Sequence, residues 1–476
     1  MSEYMYDLII IGGGSGGLVA ARVGAALGAR VCLIDKERLG GDCLHYGCIP
    51  SKSLIYAARI VKNLRVAAAF GTGGAIDHFE VDMAKIADHI HKVIERIGVA
   101  EQIYVQQVEV QFGEAEFVSN HELKLNGQIL TGRSFIVATG SQPNTGGIEG
   151  LAGLSYLTTQ DIFDLNHLPH RLAIAGGGPV GVEMAQAFAR LGSRVTLIHS
   201  QERLLPGEDA AISGAIAAVL SREGVELITG ARLTKVSEQG LSKLLEARRG
   251  EELLYFKADE LMLAIGRRPN LTGLKLENAG ITLSDKGIVV NEYLQTASPN
   301  IYAIGDVTGG YLFTHVAAYQ AGIAARNALV PVGRKRPDYR VLPWITFTDP
   351  EASRVGLTEA EARRLNPNIK VQYFPWEEID RAQTEGETEG FIKLILDEQG
   401  EQILGAHLVG AHSGEMLGEI TLAMQHKIGI SGILQAIHAY PTLSTGLQST
   451  AFEAYLSSSS LTSARKVRRP VFKFSE

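Results

Sequence analysis

Read for hydrophobic and polar positions, the chain opens on a strand-like apolar run, Tyr6 to Ile11. The run breaks abruptly into Gly12-Gly13-Gly14-Ser15-Gly16-Gly17 and then an alanine-rich, helix-forming stretch to Leu27. Gly28 stops that stretch, and a second apolar run, Val31 to Ile34, ends at Asp35. Short continuous apolar runs bounded by glycine predict buried strands, so the order is strand, glycine turn, helix, strand, acid. At Arg171 the order begins again: Leu172 to Ala175, then Gly176-Gly177-Gly178-Pro179-Val180-Gly181, a helix to Leu191 and the strand Val195 to Ile198.

Between these units, helical patterns cover about Ser51 to Phe70 and Met83 to Gln107, on either side of a glycine-rich loop, Gly71 to Gly74. Strand-like pieces follow at Val108 to Gly113, Glu122 to Leu125 and Ser134 to Val137, the last running into Ala138-Thr139-Gly140-Ser141. The second unit closes on Ala264-Ile265-Gly266-Arg267, and another apolar strand, Ile301 to Ile304, closes on Gly305-Asp306. From about Val341 the pattern changes to strands at Ile345 to Phe347, Val371 to Phe374, Phe391 to Leu396 and Ile403 to Val409 with helices between them. The expected architecture is α/β: two Rossmann-like dinucleotide-binding domains, residues 1–148 with 271–340 and residues 149–270. A C-terminal α+β domain, 341–456, and a tail, 457–476, complete it.

Composition narrows the class. The length of 476 residues suits about three domains, and 45% hydrophobic with 20% charged residues fits a soluble globular protein. Fifty-three glycines are a surplus that points to tight turns and close backbone approach to ligands. No signal-peptide pattern opens the chain, no run approaches the ~20 apolar residues of a membrane span, and three cysteines build no disulfide scaffold. The expectation is a cytoplasmic protein with no membrane span. A formal net charge of -7 argues against nucleic acid as the main partner. The tail runs the other way, with Arg465, Lys466, Arg468, Arg469 and Lys473 against Glu476. It reads as a solvated flexible tail, with contact to an acidic subunit surface or membrane as the alternative.

The repeated glycine turns carry the first chemistry. Gly12, Gly14 and Gly17, and again Gly176, Gly178 and Gly181, stand at the G-x-G-x-x-G positions that let a pyrophosphate approach a helix N-terminus. Two complete units imply two dinucleotides. Asp35 suits the hydrogen bonds of an adenosine ribose, and Asp306, at a strand's carboxyl end, those of a sugar-like chain. The second unit departs at the acidic position. His199 stands there, followed by Ser200 with Arg203 nearby. No carboxylate would repel a 2′-phosphate, which favours NADPH, with NADH possible; otherwise His199 is an exposed strand end.

The second chemistry lies in Gly40-Gly41-Asp42-Cys43-Leu44-His45-Tyr46-Gly47-Cys48-Ile49-Pro50-Ser51-Lys52. A structural zinc site would need two more matched ligands, and no second cysteine pair follows. Two readings stay open from the residues: a redox pair, or two buried, unreactive thiols. Pro50 suits a first helical turn and so puts Cys48 at a helix N-terminus, where the dipole and Lys52 favour the thiolate. Cys32, inside a predicted strand, reads as core.

These features together resemble the FAD-dependent pyridine nucleotide-disulfide oxidoreductases over nearly the whole chain. The resemblance implies FAD in the first fold, with Gly12, Gly14, Gly17, Asp35, Lys52, Thr139, Gly140, Gly305 and Asp306 around it. It places the nicotinamide cofactor in the second, with Gly176, Gly178, Gly181, His199 and Gly266. It implies a catalytic set of Cys48 against the flavin, Cys43 exchanging with substrate, Lys52 at flavin N5 and Glu183 paired with Lys52. It also implies a homodimer whose C-terminal domain brings residues near Tyr440 to the partner's active site. The disulfide reductases carry His where Tyr440 stands and Glu where Thr445 stands, and both are missing here. His438 is the nearest imidazole, two residues upstream. Tyrosine at this position resembles the mercuric reductases, as does Ala185-Gln186-Ala187-Phe188-Ala189-Arg190-Leu191-Gly192-Ser193, although their cysteine pair on the tail is absent. The expectation is a mercuric reductase-like enzyme reducing a thiol-bound metal or a small-molecule or protein-bound disulfide, with no resident metal. Dihydrolipoyl dehydrogenase is the enzyme alternative, and a low-turnover flavoprotein redox sensor or scaffold the other.

Overall fold

The computed structural model describes residues 4–72 and 80–457. Four parallel strands in the order Glu109–Phe112, Val31–Asp35, Tyr6–Ile11 and Gln128–Val137 form the first sheet, and Ile301–Ala303 joins its edge beside Gln128–Val137. Both faces of Tyr6–Ile11 are buried. Leu8 and Ile10 pack with Leu18, Ala21 and Ala324 of the helices Ser15–Ala26 and Thr314–Leu329, while Ile9 and Ile11 pack with Phe117, Leu123 and Phe135. Burial on both faces makes a strand read as a continuous apolar run.

The second sheet is also parallel, in the order Glu226–Ile228, Arg194–Ile198, Arg171–Ala175 and Glu260–Leu263, with the helix Pro179–Leu191 after its glycine turn. An antiparallel meander, Arg232–Gln239, Ser242–Arg249 and Glu252–Ala258, covers it. The sequence pattern did not reveal this meander. Its register shifts between Leu233 and Lys235, and a buried Lys243 sits on its inner face, so the period-two signal is broken. The C-terminal domain is a five-stranded antiparallel sheet, Pro343–Thr346, Glu351–Gly356, Ile403–Gly410, Phe391–Leu396 and Lys370–Pro375. The helices Ser413–Gln425 and Ser444–Leu456 pack on it. Among the described residues no helix is long and apolar enough to cross a membrane.

The helix expected over Ser51 to Phe70 spans Cys48–Val66 and ends in a tighter turn, Ala67–Phe70. Pro50 falls in its first turn, where a missing N–H costs no hydrogen bond, so the helix starts at Cys48 itself. Gly71, at φ +74°, ends it. Part of the glycine loop, residues 73–74, and the tail beyond residue 457 lie outside the described residues.

That helix leaves its own sheet and docks on the second fold: Leu54, Ala58 and Val61 share a core with Val182, Ala185, Phe188, Leu172 and Ile174. Asp349, 2% exposed, pins the junction. Its carboxylate accepts from Arg190 at 2.6 Å, Lys62 at 2.8 Å and Arg59 at 3.1 Å, while its backbone exchanges hydrogen bonds with Gln186 at 2.7 and 2.8 Å. Burial would raise its pKa, but these cations win and hold it well below the usual carboxylate range. Replacing Asp349 with Ala removes the shared acceptor of three cations, of which Arg190 keeps Glu223 and Lys62 keeps Glu387. The expected cost is roughly 1–3 kcal/mol, read as a lower urea midpoint, with an unchanged midpoint contradicting it. Because its folded pKa is depressed, the stability it contributes is present above the unfolded value and lost as pH falls towards the folded one.

Candidate active site

Cys43 lies on the short helix Gly41–His45 and Cys48 opens the next. Both are free thiols, Cys43 half-buried and Cys48 exposed. The helix Cys48–Val66 has no side-chain cap and no acid in its own first turn to neutralise its positive end. The pair divides its protonation. A hydrogen bond from Cys43, with help from the Thr314 hydroxyl and the Lys52 ammonium, outweighs burial and Glu183 and holds the Cys48 thiol down to about 6. The same bond and burial push Cys43 up. Thr314 Oγ1 lies 3.5 Å from Cys48 Sγ. No spacing in the sequence marks Thr314, because it is the fold that brings residues 48 and 314 together.

Lys52 Nζ donates to Glu183 Oε2 at 3.0 Å and lies 4.4 Å from the centre of the Phe347 ring. The other oxygen of Glu183 accepts from the Phe347 backbone N–H at 2.8 Å, and Glu183 is 4% exposed. One buried carboxylate therefore joins a residue from each of three domains.

Two cradles open from this point into a single cavity of about 1450 Å³. In each glycine turn one member is forced by the fold: a Cβ on Gly17 would run into the Gly12 carbonyl, and one on Gly181 into the Gly176 carbonyl. Gly14 and Gly178 are different. Their φ values suit any residue, a Cβ on Gly178 meets nothing within 4 Å, and both line the cavity at helix ends without side-chain caps. The bare space and free N–H groups fit the two phosphate-bearing cofactors expected there. Gly140, Gly305, Asp306, Gly176 and Gly266 also line the cavity. Thr139 does not; its hydroxyl donates to the Asn270 carbonyl at 2.8 Å. Arg267, not foreseen as a site residue, donates to Ser141 Oγ at 2.7 Å and pairs with Asp42, next to Cys43, at 2.9 Å. Ser141 Oγ in turn donates to Asp306 at 2.5 Å, and burial raises the Asp306 pKa.

The acidic positions of the two units match closely. Asp35 Oδ2 accepts from the Gly13 N–H at 2.7 Å, and its other oxygen takes the N–H groups of Glu37 and Arg38. His199 takes the same place: its Nδ1 accepts from the Gly177 N–H at 3.0 Å. The reading of His199 as an exposed strand end is corrected, since the residue is 9% exposed. The proton of the neutral ring is thereby left on Nε2, and burial lowers the pKa. Arg203, expected near a 2′-phosphate, is turned to the Pro206 and Glu208 carbonyls at 3.0 and 3.1 Å.

In the C-terminal domain Tyr440 is 72% exposed and donates its hydroxyl hydrogen to Asp380 Oδ2 at 2.9 Å, which raises the phenol pKa. The Thr445 hydroxyl donates to the Thr442 carbonyl at 2.6 Å. His438 pairs with Glu419 at 2.9 Å through a side chain only 6% exposed. Its imidazole faces inward, and the phenol faces out.

Comparison with known proteins finds relatives over nearly the whole chain. Residues 6–321 match the model of the pyridine nucleotide-disulphide oxidoreductases, and residues 342–451 that of their dimerisation domain. Mercuric reductase of Staphylococcus aureus is 35% identical over 93% of this chain and 81% of its own. Dihydrolipoyl dehydrogenase of Thermus scotoductus is 38% identical over 94% and 96%. The solved structure of the HOCl-induced flavoprotein disulfide reductase RclA from Escherichia coli superposes with a TM-score of 0.83 at 30% identity, covering 95% of this chain and 100% of that one.

The unequal thiols give a direct expectation. In the reduced protein iodoacetamide should alkylate Cys48 with a rate that rises through an apparent pKa near 6 and should leave Cys43 slower at every neutral pH. Lys52→Met should move the Cys48 midpoint upward. Peptide mapping that found Cys43 modified first would contradict this division.

Proposed function

The chain belongs to the pyridine nucleotide-disulphide oxidoreductases, and from that footing we propose that it passes electrons from NADPH through FAD to the Cys43-Cys48 pair and on to a thiol-bound metal ion or a disulfide. Bound FAD supplies the two-electron step between the nicotinamide and the sulfurs. The chain supplies the rest. Cys48 holds the thiolate at the helix N-terminus, Lys52 and Glu183 fix the charge beside it, and Cys43 meets the acceptor. The dimerisation domain supports a homodimer in which Tyr440 completes the partner's site.

The observation that carries the choice of acceptor is the Tyr440–Asp380 hydrogen bond. A phenol donating to a carboxylate stays protonated through the neutral range, so it is a poor base for thiol-disulfide exchange. A thiol-bound metal needs thiolates more than a proton shuttle. The mercuric reductase relatives and the solved Cu(II) complex of RclA support this reading. For the nicotinamide cofactor, neutral His199 in place of an acid favours NADPH over NADH.

Anaerobic titration of the oxidised protein with NADPH should produce a long-wavelength absorbance band from the Cys48 thiolate against the flavin. The band should be absent in Cys48→Ser. Steady turnover should be faster with Hg(II)-thiol or Cu(II)-thiol complexes than with oxidised glutathione or with dihydrolipoamide and NAD. Fast dihydrolipoamide oxidation would overturn the ranking, and slow reduction of every acceptor would favour a sensor. The double change Tyr440→His with Thr445→Glu should raise disulfide turnover by roughly ten- to a hundredfold if a missing base limits it.

A further inference from the structure

The second cradle leaves unexplained what would receive the charge of a 2′-phosphate, since the basic side chain expected there is used elsewhere. Arg203 gives its Nη2 to two backbone carbonyls, Arg249 donates to the Thr229 carbonyl at 3.1 Å, and Lys235 pairs with Glu149 at 2.6 Å. Two basic residues in this corner differ from these. Arg232 and Arg248 stand directly opposite one another in the antiparallel register of the meander, and both are exposed. Among the described residues neither is placed in an ion pair or a side-chain hydrogen bond.

Like charges directly across a sheet destabilise it, so this placement has a cost that a bound anion would offset. Among the described residues no carboxylate is paired with either side chain. Glu246 lies against Thr234, and Glu202 against Gly230. Arg232 also lines the cavity beside His199, Ser200 and Thr234, at the end of the second glycine turn. That is the edge of the cradle where the acidic position of such a unit meets the adenosine ribose.

We infer that Arg232, with Arg248 behind it, is the pair that binds the 2′-phosphate of the nicotinamide cofactor, in place of Arg203. This rests on the NADPH reading above and names the side chains that would produce it. The planar guanidinium of Arg232 matches a phosphate with two parallel donors, which an ammonium cannot do. His199 serves indirectly: as a neutral ring bonded to Gly177 it brings no negative charge to the same edge.

The test uses the FAD-loaded dimer and two fragments of the cofactor, 2′,5′-ADP and 5′-AMP, measured by isothermal titration calorimetry. The native protein should bind 2′,5′-ADP more tightly, and added salt should shrink the difference. Arg232→Ala should weaken 2′,5′-ADP roughly ten- to a hundredfold and leave 5′-AMP unchanged. Arg248→Ala should have a smaller effect in the same direction, Arg232→Lys an intermediate one, and Arg203→Ala should keep the preference. Unchanged 5′-AMP binding shows that the variant is folded, and Arg232→Lys retains the charge if Arg232→Ala does not fold. No preference in the native protein would overturn the NADPH reading itself. A preference that survives Arg232→Ala, or that Arg203→Ala abolishes, would overturn this assignment while leaving NADPH in place.

Discussion

One buried carboxylate with both its oxygens satisfied ties the helix that opens with Cys48 to the rest of the molecule. Glu183 sits in the second fold, accepts from Lys52 of the first and from the Phe347 backbone of the third domain, and is almost fully withdrawn from water. A buried carboxylate without partners is expensive enough to shift or unfold its surroundings, so the three domains are tied to one relative position. Two residues beyond Phe347 a similar junction recurs, with the carboxylate now supplied by Asp349. Lys52 and Arg59 are two helical turns apart, as are Glu183 and Arg190, and Asp349 accepts from Arg59, Lys62 and Arg190. The helix that opens with Cys48 is thereby fixed in register, along its length, against the helix that follows the second glycine turn.

Two ordinary thiols are made unequal first by the bond between them and then by what surrounds them. Lys52 lowers the pKa of Cys48, Glu183 raises it, and the largest contribution comes from Cys43 itself. Glu183 therefore both holds Lys52 in place and moderates its effect. Thr314, the first residue of a helix of the first fold, adds a hydroxyl on the other side. The difference between the cysteines thus starts within one segment and is adjusted by Thr314 and Glu183 from distant parts of the chain.

What was legible in the sequence was what is local. Glycine turns announce themselves because a Cβ cannot be placed at Gly17 or Gly181 in this backbone. The cysteine pair is five residues apart in one segment, and strands buried on both faces read as apolar runs. What was not legible is what tertiary contact creates. Asp349, Asp380, Glu419 and Thr314 take their places only when segments far apart in sequence meet. The meander that holds Arg232 and Arg248 escaped because a register shift and a buried lysine break its alternation. His199 misled for a related reason. A polar residue at a strand end reads as exposed, yet it is buried by the Gly177 N–H, which it accepts as Asp35 accepts that of Gly13.

The exposed segment around Tyr440 shows how little a residue type says without its orientation. An imidazole and a carboxylate, the components of an acid-base dyad, do lie side by side here as His438 and Glu419. The imidazole is turned into its own domain, where the pair anchors the segment. The side chain presented outward is a phenol whose proton is already committed to Asp380. A group held in that state can donate or receive a hydrogen bond, or approach a metal through its oxygen, but it cannot accept a proton from a thiol near pH 7. If acid-base work is to be done at the Cys43-Cys48 pair, it falls to the sulfurs themselves, with Cys48 already near its thiolate form and Cys43 holding the proton. Because the thiolate and not the thiol attacks, the proton on Cys43 must leave before that sulfur can meet an acceptor, and the group already bonded to it is the Cys48 thiolate.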